Sequence, residues 1–387
     1  MKYNKRKLVF LTGTRADFGK IKPLISRLDE NSEYEIHLFI TGMHMLSLYG
    51  STWEEIKSTG IGIQYRFINQ SAQSKMDEVI AKTILGFSDY ISEINPDMII
   101  VHGDRVEPLA GAIVGSLNNI LVAHIEGGEV SGTIDELLRH SITKLSHLHF
   151  VANEDAKRRL LQMGEDPESI FVIGSPEIEV MDSDSLPTLE DCVTYYGTFN
   201  TNYSIAILHP VTTEVEVFDK YVDDFFDSLE MSSKNYIIVH PNNDLGSEKI
   251  RQRIKQIVDS SKFRIFPSMR FEYFLQFLKN ADFIIGNSSS GVRQAPHYGT
   301  PSINVGSRQD GRISSDLIIN CGFEQDEILD AIQAVSGIRR IPSRQFGEGG
   351  SAKKFSEILT NETRGIWNRC IQKQFVDVAS KPSDATE

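Results

Sequence analysis

Two segments of the chain place acids, arginines and histidines beside apolar runs: HGDRVEP at 102–108 and AHIEGGEVSGTIDELLRH at 123–140. Asp104 follows an apolar run, Glu126 lies between a second apolar run and two glycines, and Asp135 begins the segment after them. Carboxylates that converge on one site raise one another's pKa values, so one can act as a general base and another as a general acid. The pattern therefore indicates proton-transfer chemistry.

Each of these acids also has a structural interpretation. In the first turn of a helix, Asp135 would be stabilised by the helix dipole. It could also form a surface ion pair with Arg139, four residues later, which would contribute little to stability. Glu126 is harder to explain by solubility, because it stands between an apolar strand and two glycines. The other acids of the two segments are expected to support the site or to face solvent: Glu107, Glu129 and Glu136.

Two further segments carry groups suited to a phosphate. Ser288–Ser290 follow an apolar run and open a helix, where free backbone amides and the helix dipole favour an anion. The alternative is that one of these serines only caps the helix. Arg15 and Lys20 follow the first apolar run in LTGTRADFGK, which matches neither the Walker A nor the GxGxxG pattern. The planar guanidinium of Arg15 suits a diphosphate. Because the GxGxxG pattern is absent, hydride transfer to a nicotinamide cofactor is disfavoured.

Short runs rich in β-branched and aromatic residues alternate with segments of helical periodicity along the chain. This alternation predicts an α/β fold with two Rossmann-like domains, each a parallel sheet covered by helices, and a cleft between them. Ligands of such sheets bind beyond the carboxyl ends of the strands, where the polar clusters lie. The predicted strands are at 7–13, 34–42, 97–103, 119–127, 148–153, 170–174, 203–210, 235–241, 263–267, 282–288 and 301–306.

A stretch rich in Pro, Ser and Asp at 174–191 is typical of a linker. We therefore predict an N-terminal Rossmann-like domain at 1–182 that carries the acids and a C-terminal Rossmann-like, nucleotide-binding domain at 183–365. A C-terminal helix and tail at 366–387 is expected to pack back on the N-terminal domain.

Composition excludes several classes of protein. The chain has 387 residues and a formal charge of -13, so non-specific binding to nucleic acid or to an anionic membrane is not expected. No apolar run approaches the roughly 20 residues of a membrane span, and the N-terminal run is too short for a signal peptide. We therefore expect a cytoplasmic protein. Its cysteines are expected to be reduced, because the three lie far apart in the sequence.

The histidines give no metal-binding pattern such as HExxH, so no metal is expected. His209 and His240 each end a predicted strand before a proline, a position that faces the cleft. His147 and His149, in SHLHF, are expected to point into the core. The acids DSD at 182–184 lie in the predicted linker and are not expected to bind a metal.

The motifs TGTRADFGK, HGDR, HIEGGE, HPVTTE, PSMRFEYF and GNSSSGVRQAP resemble the hydrolysing UDP-N-acetylglucosamine 2-epimerases of bacterial sialic acid synthesis, from Lys7 to about Val376. The resemblance implies a GT-B-like architecture and a homodimer or homotetramer. It also implies conversion of UDP-N-acetylglucosamine to N-acetylmannosamine and UDP without a cofactor. In that reaction the proton on carbon 2 is removed as UDP leaves carbon 1, giving 2-acetamidoglucal. Water then adds across the double bond, with a proton delivered to the opposite face of carbon 2.

The resemblance also implies roles for individual residues. Glu126 or Asp104 is expected to be the base and Asp135 the later proton donor, with His209 near the leaving phosphate. The residues expected to bind the nucleotide sugar are Arg15, Lys20, Arg139, Arg270, Phe271, Ser288, Ser289, Ser290 and Gln294. Many relatives have Glu in place of Gln294, at a position that accepts hydrogen bonds from ribose, and a neutral acceptor forms a weaker bond than a charged one.

Four alternatives share these motifs in whole or in part. The first is a hydrolysing 2-epimerase of GDP-N-acetylglucosamine or of a UDP-2,4-diacetamido-trideoxy sugar for legionaminic acid synthesis. The second is a non-hydrolysing 2-epimerase, which HGDR and HIEGGE disfavour. A GT-B glycosyltransferase would require an acceptor sugar. A nucleotide-sugar sensor is disfavoured, because acids facing a diphosphate reduce affinity unless they act in chemistry.

Overall fold

The computed structural model describes residues 5–197, 202–211, 218–244, 246–257, 259, 261–312, 314–374, 376 and 377. In this part of the chain the strands form two parallel sheets, as the alternating pattern predicts. The first sheet contains β1 (Arg6–Thr12), β2 (Tyr34–Ile40), β3 (Ile63–Arg66), β4 (Met98–His102), β5 (Leu121–Ile125), β6 (Leu148–Val151) and β7 (Ile170–Val172). The second contains β8 (Ser204–Ile207), β9 (Tyr236–Val239), β10 (Phe263–Phe266), β11 (Ile284–Gly286), β12 (Ser302–Val305) and β13 (Ile318–Cys321).

Helices connect these strands. Seven lie within or directly after the first sheet: α1 (Arg15–Asp29), α2 (Trp53–Thr59), α3 (Met76–Ile94), α4 (Val106–Leu117), α5 (Ile134–Leu145), α6 (Glu154–Gln162) and α7 (Pro176–Met181). The others described are α8 (Leu189–Tyr196), α9 (Phe218–Met231), α10 (Ser247–Lys255), α11 (Phe271–Asn280), α12 (Ser289–Val292), α13 (Gln294–Tyr298), α14 (Gln325–Ala334) and α15 (Ser351–Thr360). None of these helices is long and apolar enough to cross a membrane.

The strand order places the polar segments together. The first sheet has the order β3-β2-β1-β4-β5-β6-β7 and the second β10-β9-β8-β11-β12-β13. In each sheet the order reverses at one point, between β1 and β4 and between β8 and β11, and ligands of open α/β sheets bind at such points. The loops after these four strands carry TGTR, HGDR, HP and NSSS. The topology therefore brings the predicted site residues to one region.

The predicted strands are all present, and two short strands were not predicted. β3 and β13 are edge strands with several exposed or half-buried residues, so they lack the continuous apolar run of the inner strands. The inner strands are buried on both faces, as parallel strands covered by helices should be.

The stretch at 174–191 is not an extended linker. It contains α7, which has Pro176 at its first position, and the start of α8, which begins with a capping box formed by Thr188 and Asp191. Pro and Ser or Thr favour helix starts as well as linkers, which explains the difference from the prediction.

The C-terminal part returns to the first sheet before residue 366. Phe355 and Leu359 of α15 pack in the core formed by the first sheet and α1, together with Ile366. The helix predicted from residue 366 is absent in the described residues, where Ile366–Asn368 form a single 3₁₀ turn. Gly365, in the left-handed conformation, precedes this turn and separates it from the helical residues before it.

Candidate active site

A cavity of about 320 Å³, called the cleft cavity below, lies between the carboxyl ends of the two sheets. Its walls come from the loops after β1, β4, β8 and β11 and from the starts of the helices that follow. Ten predicted site residues line it: Asp104, Asp135, His209, Arg15, Lys20, Phe271, Ser288, Ser289, Ser290 and Gln294. The other three, Glu126, Arg139 and Arg270, lie outside the described lining.

Asp104 follows Gly103, whose positive φ of 79° turns the chain out of β4. Its carboxylate accepts a hydrogen bond from Nη2 of Arg139. Burial alone would raise the pKa of Asp104, but the charges of Arg139 and Arg312 outweigh burial and hold it well below its usual value. Asp104 is therefore ionised at neutral pH.

Arg139, expected to contact the nucleotide sugar, lies outside the described lining of the cavity. Its side chain is buried behind Asp104 and also donates to the backbone oxygen of Glu129 at 3.0 Å. The ion pair suggested by its spacing from Asp135 is also not formed, because Arg139 turns inward from α5 towards Asp104. Arg139 thus positions a carboxylate, and its location does not favour direct contact with a diphosphate.

Asp135 lies near the N-terminus of α5 and accepts a hydrogen bond from Nη2 of Arg308 at 3.0 Å. Burial is the main cause of a raised pKa for this carboxyl group, and the negative charge of Asp104 adds to it, while Arg308 acts in the opposite direction. Asp104 and Asp135 therefore differ in proton affinity on the wall of one cavity. Such a difference is what a base and an acid require.

His102, the last residue of β4, lines the cavity and binds two carboxylates, one of which is buried. Its Nδ1 donates to Oδ1 of Asp17 at 2.6 Å and its Nε2 donates to Oε2 of Glu126 at 3.1 Å. Burial would lower the pKa of His102, but its hydrogen bonds to Asp17 and Glu126 outweigh burial and raise it to about 9. The ring is therefore an imidazolium at neutral pH, and both nitrogens are donors.

Glu126 lies behind His102 and is not itself in the described lining of the cavity. It has a positive φ of 65°, a left-handed conformation that is uncommon outside glycine, and is buried. Its Oε1 accepts from Nη2 of Arg293 at 2.5 Å and from the hydroxyl of Ser175. These contacts and His102 hold the pKa of Glu126 well below its usual value although burial acts to raise it. Its position favours a supporting role over that of the base.

Arg293 is the centre of a buried ionic network between the two sheets. Its guanidinium contacts the carboxylates of Glu126, Glu129 and Glu177, and it stacks on Phe346 with its Cζ 4.4 Å from the ring centroid. Removing one member of such a buried set leaves uncompensated charge, which typically costs 3–5 kcal/mol. The network therefore fixes the loop after β5 and the start of α13 relative to each other.

Positive charge reaches the cavity from Arg15 and Lys20 of α1 and from Arg308 of the loop after β12. Nη1 of Arg15 donates to Oγ of Ser268 at 2.6 Å, and its Nη2 pairs with Glu55. Nζ of Lys20 lies 2.9 Å from Oε2 of Glu177. Arg105 and Arg308 also line the cavity, so four arginine and lysine side chains of the described lining can offer positive charge to an anionic ligand.

Arg270 and Phe271 occupy different positions although they are adjacent. Phe271, the first residue of α11, lines the cavity. Arg270 instead pairs with Glu55 and lies over the ring of Tyr195, with its Cζ 4.8 Å from the centroid. It lines a neighbouring pocket on the other side of Arg15, so its location does not favour the predicted substrate contact.

The serines after β11 have both of the roles considered for them, because one caps a helix and all three line the cavity. Ser288 is the N-cap of α12 and accepts a hydrogen bond from the backbone nitrogen of Ser290. Ser288–Ser290 also line the cavity. α12 is a single turn, because the chain bends at Arg293 before α13 begins. Capping and cavity lining are therefore combined in one short segment.

His209 lies beyond β8 and lines the cavity, as does His240 beyond β9. Nδ1 of His209 accepts a hydrogen bond from the backbone nitrogen of Asn242 at 3.1 Å. Burial, with the charges of Arg308 and Arg105, holds the pKa of His209 well below its usual value. The ring is therefore neutral with its proton on Nε2. His147 and His149 are buried, as predicted.

Several residues of the site were not predicted from the sequence. His102, Asp17 and Arg308 stand in motifs that are visible in the sequence, and their positions after strand ends could have signalled them. Glu107, expected to be supporting or solvated, is fully buried and lines the cavity, with Nε of Arg105 3.6 Å from its Oε2. Among the described residues, no group of acids, histidines and cysteines is arranged to hold a metal ion.

The chain matches the family model described as UDP-N-acetylglucosamine 2-epimerase over residues 26–360. The protein belongs to this family. It is 46% identical over 377 residues to the UDP-N-acetylglucosamine 2-epimerase of Neisseria meningitidis serogroup B, covering 96% of this chain and 99% of that protein. It is 35% identical to the UDP-N,N'-diacetylbacillosamine 2-epimerase (hydrolyzing) of Legionella pneumophila, covering 92% of this chain and 95% of that protein.

Solved structures of the family share the fold. A crystal structure of UDP-GlcNAc 2-epimerase from Neisseria meningitidis bound to UDP-GlcNAc has a TM-score of 0.77 and 18% identity to this epimerase-family chain. The alignment covers 91% of this chain and 99% of that structure. The predicted α/β, GT-B-like architecture is thereby confirmed.

Proposed function

We propose that this epimerase is a hydrolysing UDP-N-acetylglucosamine 2-epimerase that releases N-acetylmannosamine and UDP. One observation carries the proposal. Asp104 and Asp135 line the same cavity, and their pKa values are shifted in opposite directions. Elimination followed by hydration needs one carboxylate that is ionised and another that holds a proton.

Asp104 is the proposed base of the first step. It removes the proton from carbon 2, the electron pair forms the double bond to carbon 1, and the bond from carbon 1 to the UDP oxygen breaks. Arg139 and Arg312 keep Asp104 ionised but also reduce its basicity. A bound diphosphate offsets part of this effect, because its negative charge opposes that of the arginines.

Asp135 is the proposed acid of the second step. It delivers a proton to carbon 2 of 2-acetamidoglucal, while the oxygen of water bonds to carbon 1. The water gives one of its protons to a base of the site and keeps the other as the hydroxyl group on carbon 1. The raised pKa of Asp135 supports this role, since a protonated carboxyl group is needed at that moment. Arg308 orients the group through its hydrogen bond at 3.0 Å.

The departing diphosphate requires cations and hydrogen-bond donors placed in advance. Arg15, Lys20 and Arg308 supply positive charge in the cavity. His209 adds a neutral donor through Nε2, given that its Nδ1 accepts from Asn242. We assign to these four residues the stabilisation of UDP as the leaving group.

A second candidate function is hydrolytic 2-epimerisation of a UDP-diacetamido sugar. The Legionella relative carries that activity in its name, at 35% identity over 360 residues. The Neisseria relative, at 46%, is named for UDP-N-acetylglucosamine, which favours the simpler sugar as substrate.

A panel of nucleotide sugars distinguishes these candidates. We expect UDP-N-acetylglucosamine to release UDP with a kcat/KM at least about tenfold above those of GDP-N-acetylglucosamine and UDP-N,N'-diacetylbacillosamine, because each tenfold ratio needs only ~1.4 kcal/mol of differential binding. Nucleotide release and the free sugar are measured for each compound. Preferred turnover of the diacetamido sugar would establish the second candidate instead, and an equilibrium mixture of nucleotide-linked epimers would indicate a non-hydrolysing enzyme.

A further inference from the structure

We propose that Glu177, a buried residue of α7, fixes the side-chain amide of Gln294 so that its carbonyl oxygen faces the cleft cavity and accepts a hydrogen bond from a hydroxyl group of the nucleotide sugar. The inference rests on the proposed function for the identity of the ligand. It assigns a positioning role to a residue outside the described lining of the cavity and explains how a neutral glutamine serves at position 294.

Glu177 is held from three directions. Its Oε1 accepts from Nε of Arg293 at 2.7 Å, and its Oε2 lies 2.9 Å from Nζ of Lys20 and accepts from the amide nitrogen of Gln294. Burial would raise the pKa of Glu177, but Arg293 and Lys20 outweigh burial and lower it to about 2. Glu177 is therefore a fixed anion.

The charge of Glu177 determines which way the amide of Gln294 points. An ionised carboxylate accepts hydrogen bonds and never donates them, so the NH₂ group of Gln294 must face Glu177 and the carbonyl oxygen must face away. Gln294 is only 1% exposed, yet it contributes to the wall of the cavity. Its Oε1 has no hydrogen-bond partner in the described part of the chain.

A buried hydrogen-bond acceptor without a partner favours a ligand that brings a hydrogen-bond donor to it. Leaving such an atom unpaired is costly, and a ligand hydroxyl that approaches it recovers that cost. A phosphate oxygen, which only accepts, is disfavoured at the same point. In the site beside Ser288–Ser290, the cations therefore bind the diphosphate, and Gln294 accepts a hydrogen bond from a hydroxyl group.

The same contact explains why glutamine is suitable here. A glutamate at position 294 would place two carboxylates within hydrogen-bonding distance of each other in a buried environment. Like charges at that separation repel strongly or force one group to take up a proton. Because Glu177 supplies the negative charge of the pair, position 294 must supply the neutral amide.

Exchanging the two side chains tests the proposal. Q294E is expected to raise the KM for UDP-N-acetylglucosamine at least about tenfold. The Kd for the same compound, measured in the slowly reacting D104N background, is expected to rise by a similar factor. The double variant E177Q/Q294E restores one amide and one carboxylate with unchanged net charge. It is expected to recover KM to within about threefold of the wild-type value, while kcat changes little throughout.

A matched control separates this contact from general disturbance of the network. Glu129 also binds Arg293, but it makes no described contact with Gln294. E129Q/Q294E leaves the net charge unchanged, as the double exchange does, and is expected to show no recovery of KM. Melting temperatures of all variants report any loss of folding.

Two results would overturn the positioning role. One is a Q294E variant that binds as tightly as the parent protein. The other is an E177Q/Q294E variant that gains nothing over Q294E while its melting temperature equals that of E129Q/Q294E. If the parent protein binds no UDP-N-acetylglucosamine and releases no UDP from it, the proposed function fails instead, so the two failures are distinguishable.

Discussion

Replacing Asp104 by Asn is expected to reduce kcat for UDP release by about 10³-fold, because Asn cannot accept the proton from carbon 2 and a positioned general base contributes about 10²–10⁴ in rate. The elimination step slows to that extent, so UDP and 2-acetamidoglucal form at the same reduced rate. KM should change much less, since the cations that bind the diphosphate remain. Steady-state release of UDP measures both constants.

The control for Asp104 is Asp244→Asn. Asp244 is buried and lies 3.8 Å from Nη2 of Arg105, but it does not belong to the described lining of the cavity. Its replacement removes a carboxylate charge from an arginine, as Asp104→Asn does, and is expected to change kcat by less than about tenfold. Retention of wild-type kcat by Asp104→Asn would contradict its role as the base.

Replacing Asp135 by Asn is expected to separate the two half-reactions. Elimination still proceeds, but Asn cannot deliver a proton to carbon 2, so N-acetylmannosamine formation falls by about 10²–10⁴. UDP and 2-acetamidoglucal are then released together. Proton NMR of the reaction mixture identifies the glucal by its vinyl signal and quantifies both sugars.

Asp155→Asn is the matched control for this substitution. Asp155 also lies in the first turn of a helix, α6, and is exposed. Both changes remove a helix-dipole interaction worth about 0.3–1 kcal/mol, but only Asp135 lines the cavity. Normal N-acetylmannosamine formation by Asp135→Asn would assign the returned proton to another group.

The location of the site could be predicted from the sequence because polar residues follow the ends of apolar strands. Asp104, His209 and Ser288–Ser290 all lie after such runs, and parallel strands present these ends at one edge. The alternation of apolar runs with segments of helical periodicity was also sufficient to predict both parallel sheets. The short edge strands β3 and β13 lack that signal because they are partly exposed.

The orientation of individual side chains could not be predicted in this way. Glu126 follows a buried strand as Asp104 does, but its left-handed backbone and its contacts with Arg293 place it behind the cavity. The helical spacing of Asp135 and Arg139 was compatible with an ion pair, yet Arg139 binds Asp104. Such choices depend on residues that are distant in the sequence and meet only in the folded protein.

The buried network also explains how acids and a phosphate site coexist. Glu126, Glu129 and Glu177 share Arg293, and each has a second cationic partner, in the order His102, Arg312 and Lys20. The three carboxylates therefore add little negative field at the diphosphate. His102 carries a positive charge between Asp17 and Glu126. Asp104 and Asp135 are thus left as the acids proposed for proton transfer at the sugar.

The most direct test of the central claim is the reaction of UDP-N-acetylglucosamine with the wild-type protein in D₂O. The account predicts free N-acetylmannosamine with one deuterium at carbon 2, formed in equal amount with UDP. Mass spectrometry and NMR of the product measure the isotope and its position. Free sugar without deuterium at carbon 2, or a deuterated product that remains attached to UDP, would contradict elimination followed by hydration.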